Sequence, residues 1–323
     1  MTTPLKALFM AISAMTALHC AWGFYAHRQI NRLAVFTLPP EMLGFYKKNI
    51  ENITEAAVNP DRRRYVVDGE AVRHYIDLDH YGDSALAKLS GSWDLALTRY
   101  PEDTLQAHGV VPWHIHRTYV RLREAFLIRD PDAILRLSAD LGHYVGDAHV
   151  PLHTTVNYDG QLTGQTGIHA FWESRLPELF ASHYNYIVGR ATYLPDPQRA
   201  AWDAVASAHR ALDSVLGFER ALAVQMGDRR YSYETKGRQT VRVYSQEYAA
   251  AYHDMLDGMV ERQMRAAIRM TGSLWYTAWV DAGQPDLNSL MAYAPDEEEL
   301  RRRREELKKW REAASRADSS VHH

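Results

Sequence analysis

Helical periodicity constrains the fold of this chain most strongly. Between residues 132 and 150 four apolar side chains recur at helical spacing, and they are Ile134, Leu137, Leu141 and Val145. Asp130-Pro131, directly before them, is typical of a helix start. Similar patterns predict further helices over 27–38, 41–54, 114–127, 168–180, 199–216 and 246–276. Alternating apolar and polar runs hardly occur. We therefore predict an all-α fold.

The segments between these helices predict long loops. They are rich in Gly, Asp, Pro and Thr and span 55–73, 78–110, 154–167 and 226–240. Loops of this length usually carry function. With 323 residues, 46% of them apolar, the chain can bury a sizeable core. We predict one multi-helix domain over 22–295 and a charged tail over 296–323, which reads as a solvated helix or a frayed appendage.

The first 21 residues are predicted to be a signal peptide. Lys6 is followed by an apolar run over 7–18, which is too short to span a bilayer. A cut after Ala21 makes Trp22 the first residue of the mature chain. His19 stands where a small residue is preferred, and lipoprotein processing at Cys20 is the alternative. We expect a periplasmic or secreted protein without a transmembrane segment.

The histidine and cysteine content limits which residue types could form a metal site. The chain has 16 histidines and a single cysteine, which excludes a disulfide framework and a cysteine-rich zinc finger. A formal net charge of −3 excludes a general polycation that binds nucleic acid by bulk charge. Any metal site must therefore consist of His, Asp and Glu side chains.

Two histidine–carboxylate pairs have helical spacing. His143 and Asp147 are four residues apart, as are His169 and Glu173, so each pair shares a helix face. His153 follows just after the first pair. One such pair is more often a structural or surface feature, whereas several pairs favour zinc, which accepts imidazole and carboxylate ligands.

The segment His143-Tyr-Val-Gly-Asp147-x-His-x-Pro-Leu-His153 resembles the central motif of the superfamily of zinc-dependent phospholipases C and single-strand-specific nucleases. Both branches are secreted, all-α and hold three zinc ions, and their mature chains begin with a zinc-binding tryptophan. The resemblance covers about residues 22–280. It implies nine metal ligands, which are Trp22, His27, Asp61, His74, His143, Asp147, His153, His169 and Glu173.

The resemblance also implies how these ligands are shared among three zinc ions. The first ion is bound by Asp61, His74, His143 and Asp147. The second is bound by Trp22 and His27, with Asp147 as a bridge. The third is bound by His153, His169 and Glu173, with water. Asp68 is the alternative to Asp61, and Asp77 and Asp79 are candidates either for hydrogen bonds to ligand histidines or for ordinary surface positions.

Such a centre implies hydrolysis of a phosphodiester by a metal-bound hydroxide. Asp147 would hold two metals together, and Asp61 would orient or deprotonate the water, so both are candidate catalytic residues. Five further histidines have no family position and are expected to be structural or exposed; they are His80, His108, His114, His116 and His149.

The two branches of the superfamily differ in the spacing and the residue types of their motifs. The short Trp22–His27 spacing resembles the nucleases, while Glu173 and the segment 154–158 resemble the phospholipases. We expect a phospholipase C-like phosphodiesterase, with a nuclease or 3′-nucleotidase for single-stranded nucleic acid as the alternative. A non-catalytic, zinc-stabilised binding protein is the remote alternative.

Substrate recognition is open at this stage. Tyr25, Arg62 and Ala71 stand where the phospholipases place the acidic and aromatic residues of their choline site. Arg62, Arg63 and Arg64 are candidate binders of the phosphates of an anionic lipid or a nucleotide, or else a solvated loop. The predicted partner is a phospholipid or nucleic-acid phosphodiester, with peripheral membrane contact possible. No protein partner is predicted.

Overall fold

A computed structural model describes residues 23–236, 239–292, 296–298, 300–302, 304–306, 308–309 and 312. The first half contains α1 (Phe24–Ala34), α2 (Pro40–Lys48), α3 (Ile50–Ala56), α4 (Asn59–Arg63), α5 (Ala85–Leu89), α6 (Trp93–Leu97), α7 (Glu102–Ala107), α8 (Val111–Ile128) and α9 (Pro131–Asp147). The second half contains α10 (Ile168–Ala170), α11 (Leu176–Phe180), α12 (Pro197–Met226), α13 (Gln246–Met255) and α14 (Met259–Asp281). The predicted all-α class is confirmed.

Helix α9 is the central element. Asp130 caps it by accepting a hydrogen bond from the backbone N–H of Ala133 at 3.0 Å. It packs against α1, α3, α8 and α14, and every residue from Leu137 to Asp147 is buried. This burial on all sides places the polar residues of its last turns inside the molecule.

Glycines let α1 approach α9 closely. A Cβ atom on Gly142 would lie 1.9 Å from Oδ1 of Asn31 and 3.0 Å from Thr271. A Cβ atom on Gly146 would lie 3.0 Å from Nδ1 of His27. A larger residue at either position would require the side chain of Asn31 or of His27 to move.

The buried apolar side chains form two clusters. The first cluster joins α1, α8, α9 and α14 and includes Tyr46, Phe126 and Trp275. The second joins the segment 150–181 to α12 and α13 and includes Trp172 and Tyr248. Helices α1, α12 and α14 contribute to both, so the two clusters meet along these helices.

Several predicted segments differ from the structure. The predicted helix 41–54 is interrupted at Asn49, and the predicted helix 246–276 is interrupted at Gly258, whose φ of +69° is left-handed. The predicted loop 55–73 contains α4, and the loop 78–110 contains α5 to α7. The predicted loop 226–240 was wrong in part, because β1 (Tyr231–Lys236) pairs with β2 (Gln239–Tyr244) in an antiparallel hairpin.

No helix among the described residues combines the length and the apolar character that a membrane crossing requires. The predicted signal peptide, including Cys20, and Trp22 lie outside the described residues. The described positions of the tail from Asp296 onward are exposed. The division into domain and tail stays a prediction.

Candidate metal centre

The end of α9 carries the first two site residues. His143 and Asp147 are one turn apart, with His143 Nε2 3.2 Å from Asp147 Oδ2. His143 Nδ1 donates a hydrogen bond to the carbonyl oxygen of Ala57 at 2.8 Å. That bond fixes the tautomer whose Nε2 lone pair points at the carboxylate, which is how proteins orient a metal-binding histidine.

His74 and Asp61 complete this group. His74 Nδ1 lies 2.9 Å from Asp147 Oδ2 and 3.0 Å from His143 Nε2, and Asp61 Oδ1 lies 3.8 Å from both histidine nitrogens. Ligands at ordinary zinc distances are about 3.3 Å apart when arranged as a tetrahedron. His74, His143 and Asp147 therefore converge on one point, and Asp61 lies beside the two histidines and forms a further group with His143 and His27. Asp68, the alternative to Asp61, is exposed and lies outside the group.

A second group lies beyond the end of α9. His153 is in a 3-10 turn, Pro151–Thr154, and its Nε2 is 2.9 Å from Nε2 of His169. Glu173 Oε2 is 3.1 Å from His169 Nε2 and 3.4 Å from His153 Nε2. Glu173 belongs to a π-helical segment, Phe171–Arg175, which continues α10 and is a type of turn frequent at functional sites. These three side chains also converge on one point.

Asp147 lies between the two groups. Its Oδ2 faces His74 and His143, while its Oδ1 lies 3.5 Å from His27 Nε2 and 3.5 Å from His153 Nδ1. His27 therefore lies beside Asp147, the carboxylate that is predicted to be shared between the first and the second zinc ion. Gly23, the residue after Trp22, donates its N–H to the carbonyl oxygen of Glu173 at 3.3 Å.

The donor atoms are buried and incompletely hydrogen-bonded, which fits metal binding. Asp61 is 2% exposed, and both of its carboxylate oxygens lack a hydrogen-bond partner among the described residues. A carboxylate in this environment is costly unless a cation compensates it. Burial and the neighbouring carboxylate of Asp147 raise the pKa of Asp61, while His27 opposes this shift. The pKa of Asp147 is lowered despite burial, because His143, His27 and His74 surround it.

Behind His74 lies a polar network that sequence reasoning missed. Glu70 is fully buried, and its carboxylate is 3.8 Å from His74 Nε2. It pairs with Arg63 at 3.0 Å and with Arg73 at 2.6 Å, and it accepts a hydrogen bond from the hydroxyl of Tyr144. Burial opposes ionisation, but these partners lower the pKa of Glu70 to about 2. Position i−4 to His74 was the only sequence signal available.

A cleft of about 330 Å³ opens above the two groups. His74, His153 and His169 form its floor, and Arg64, Asp77 and Tyr158 contribute to its walls. The three arginines predicted to bind phosphate are therefore placed differently. Arg64 lines the cleft, whereas Arg63 pairs with Glu70 and Asp140 and Arg62 donates to Asn59.

The predicted outer hydrogen bonds are arranged differently from expectation. Asp77 pairs with His108 Nδ1 at 3.2 Å, and Asp79 accepts from the Thr155 hydroxyl at 2.6 Å, so neither bond reaches a ligand histidine. Asp159, which the sequence did not single out, instead accepts the backbone N–H groups of Gly167 and His169. It fixes the start of the helix that carries His169.

No protein-family model matches this chain, and no curated protein matches it in sequence. Among solved structures it is similar to the alpha-toxin of Clostridium perfringens from avian strain SWCP, with 14% identity and a TM-score of 0.48. The alignment covers 83% of this chain and 66% of the toxin chain. A likeness at this level carries no information about activity or substrate.

Proposed function

We propose that this protein is a zinc-dependent hydrolase of phosphodiesters, of the phospholipase C type. The observation that carries the proposal is the position of Asp147, whose two oxygens face separate sets of histidines beneath an open cleft. A shared carboxylate could hold two metal ions close enough together to clamp a phosphodiester between them. The resemblance of segment 143–153 to the superfamily motif supports the same reading.

Each group has a role in the proposed reaction. Zinc ions bound there would supply Lewis acids that activate water and neutralise phosphoryl oxygens. Asp61 would accept the proton of the attacking water, since its carboxylate oxygens lie beside the histidines and lack hydrogen-bond partners among the described residues. Arg64 would orient the phosphodiester from the wall of the cleft by its charge.

The full set of three zinc ions is part of the proposal. Three groups converge among the described side chains, and one of them joins His27 to Asp61 and His143. The second zinc of the proposal would be held by His27 and Asp147 together with Trp22. Gly23, the residue that follows Trp22, donates its backbone N–H to the carbonyl oxygen of Glu173, which supports this part of the proposal. Export and cleavage before Trp22 belong to the same proposal, and N-terminal sequencing of protein secreted by a bacterial host tests them.

An exposed apolar segment favours a lipid substrate. Tyr65, Val66 and Val67 follow Arg64 directly and are 44%, 42% and 38% exposed. Neighbouring exposed apolar side chains beside a cleft suit contact with the lipid–water interface. An anionic headgroup would also match the charge of Arg64.

One observation favours the nuclease alternative. Tyr158 lines the cleft, is 44% exposed, and meets the ring of His169 edge to face at 5.6 Å. An exposed aromatic ring at this position offers a surface on which a base could stack. The non-catalytic alternative is disfavoured, because His153, His169 and Glu173 provide three protein ligands and leave one position open to substrate or water.

A parallel hydrolysis assay tests the proposal. Purified mature protein is given phosphatidylcholine, phosphatidylinositol, single-stranded DNA, RNA and 3′-AMP, each with and without chelator. We expect chelator-sensitive release of a phosphorylated headgroup. Release of nucleotides instead would establish the nuclease alternative, and no hydrolysis of any substrate by zinc-loaded protein would overturn the proposal.

Matched variants connect the activity to the centre. Asp61→Asn removes the proposed base, whereas Asp68→Asn makes the same change at an exposed position of the neighbouring loop. We expect loss of at least about 100-fold in kcat for the first and an unchanged rate for the second. Circular dichroism verifies that both variants fold. Equal rates would contradict the role of Asp61.

A further inference from the structure

A second polar pocket lies behind the metal centre. It has a volume of about 210 Å³ and is lined by Arg73, Trp93, Gln106, His114 and Arg117. The ring of Tyr144 separates it from the centre, with ring centroids 5.6 Å from His74 and 4.5 Å from His114. The chain from Gly69 to Tyr75 forms a wall common to this pocket and the cleft.

His114 is the buried polar group of this pocket. Its side chain is 8% exposed, and within the described residues its imidazole makes a ring contact with Tyr144 but no hydrogen bond. A buried imidazole that lines a pocket without a protein partner for its nitrogens needs a ligand or water there. Burial and then Arg73 lower the pKa of His114 well below its ordinary value, so it stays neutral and can donate one N–H.

The charges around His114 are predominantly positive. Arg73, Arg117 and Arg63 act on it, against the single carboxylate of Glu70. That carboxylate is already shared between Arg63 and Arg73. Arg117 is exposed at the pocket, so its guanidinium remains accessible to an anion.

An aromatic side completes the pocket. Trp93 is partly exposed and meets the ring of Trp113 edge to face at 5.2 Å. Trp113 donates its indole N–H to the carbonyl oxygen of Gly91 at 3.0 Å, which fixes this pair of rings. A rigid, accessible indole face beside cationic groups matches a ligand that carries a planar group next to its negative charge.

We propose that this pocket is a second anion site, which binds the phosphate of a nucleotide through Arg73, Arg117 and His114 and its base against Trp93. Guanidinium groups and an imidazole N–H are the donors that phosphate prefers in proteins. The site requires no metal, so it can be tested independently of the phosphodiesterase proposal. It would bind a nucleotide whether or not the cleft hydrolyses nucleic acid.

The experiment uses the metal-loaded protein with inorganic phosphate and with AMP. Histidine side-chain NMR reports binding at His114 separately from any binding at the metal centre. Because an anion would offset Arg73 and Arg117, we expect phosphate to raise the pKa of His114 and to shift its resonances with saturation. Unchanged His114 resonances while AMP saturates the protein would overturn the proposal.

Matched variants locate the contacts. Arg117→Ala removes a proposed ligand, and Arg121→Ala removes the arginine one turn further along α8, which does not line the pocket. Loss of one charge-assisted hydrogen bond should weaken AMP binding about 10-fold in the first variant and leave it unchanged in the second. Trp93→Leu should reduce AMP affinity to that of phosphate. Equal effects of both arginine variants would refute the assignment, and AMP affinity unaffected by Trp93→Leu would refute the base contact.

Discussion

The imidazole rings of His27 and His143 stack with their centroids 3.9 Å apart and their planes at 19°. One ring belongs to α1 and the other to α9, so the distance between these helices sets the distance between two candidate ligands. The two helices approach this closely because glycines face α1 at Gly142 and Gly146. The geometry of the centre therefore depends on helix packing.

Gly142→Ala is expected to destabilise the protein by about 1–3 kcal/mol, because the added methyl group would overlap Asn31 and force the helices apart. Gly217→Ala is the matched control, since its Cβ on α12 meets no atom within 4 Å. That change should stabilise the helix by roughly 0.5–1 kcal/mol. Urea denaturation measures both. A neutral effect at Gly142 would mean that α1 can shift without cost.

Asp147→Asn is expected to reduce bound zinc by more than one ion per chain and to lower kcat at least about 100-fold. The amide removes the negative charge that faces both His143 and His153. Asp203→Asn, at an exposed position on α12, serves as the control. Elemental analysis of dialysed protein gives the stoichiometry. Full zinc content in the Asp147 variant would exclude the bridging role.

His169→Ala should remove one zinc ion and leave the others bound. His169 contacts His153 and Glu173, but the group of His74, His143 and Asp147 does not include it. A comparison with His74→Ala by zinc titration calorimetry checks this independence. Simultaneous loss of all zinc from the His169 variant would show that the groups cannot load separately.

His149 is expected to make the protein acid-sensitive. It is buried, donates from Nδ1 to the carbonyl oxygen of Val145, and burial lowers its pKa to about 4. A group with a lowered folded-state pKa contributes stability above its unfolded pKa of 6.5, and this stability is lost as the pH falls through about 4.

When the pH falls from 6.5 to 4, the free energy of unfolding should therefore decrease by about 3 kcal/mol less in His149→Gln than in the wild type. Thermal unfolding across this range measures the difference. His183→Gln, at an exposed position, should follow the wild-type curve. If His149→Gln also follows the wild-type curve, the imidazole of His149 can take up a proton within the folded protein without loss of stability.

Chelation is expected to lower the melting temperature by roughly 5–10 °C or more. Ligands drawn from α1, α4, α9 and the segment 150–173 bind zinc together only in the folded chain, so zinc stabilises the native state by mass action. Differential scanning calorimetry with and without a strong chelator tests this. Identical curves would argue against the metal centre.

The sequence predicted the class of fold because helical periodicity is a local pattern, whereas the full set of candidate ligands came from the resemblance of segment 143–153 to the superfamily motif. His143 and Asp147 share a face of a long amphipathic helix, and that face can be read directly. Asp61 lies on the five-residue helix α4, within a segment that was predicted to be a loop, so local spacing does not determine its position. Only tertiary packing separates it from the exposed Asp68.

Other features depended entirely on tertiary contacts. The hairpin of β1 and β2 carries polar residues on both faces, and the alternation of Val241, Arg242 and Val243 is too short to predict it. It is held by stacking of Tyr244 on Phe171 at 3.9 Å and by the Arg175–Glu234 ion pair. Glu70 was missed for a similar reason, because its partners Arg63 and Tyr144 come from separate helices.

The two apolar clusters meet along α1, α12 and α14, and the metal centre adds a further connection between them. His74 and His143 are attached to the first cluster, whereas His169 and Glu173 are attached to the second. Ions held between them would cross-link side chains of the two clusters, in addition to the helices α1, α12 and α14 that the clusters share. Metal loading should then slow amide exchange along α13, which packs in the second cluster and carries no candidate ligand.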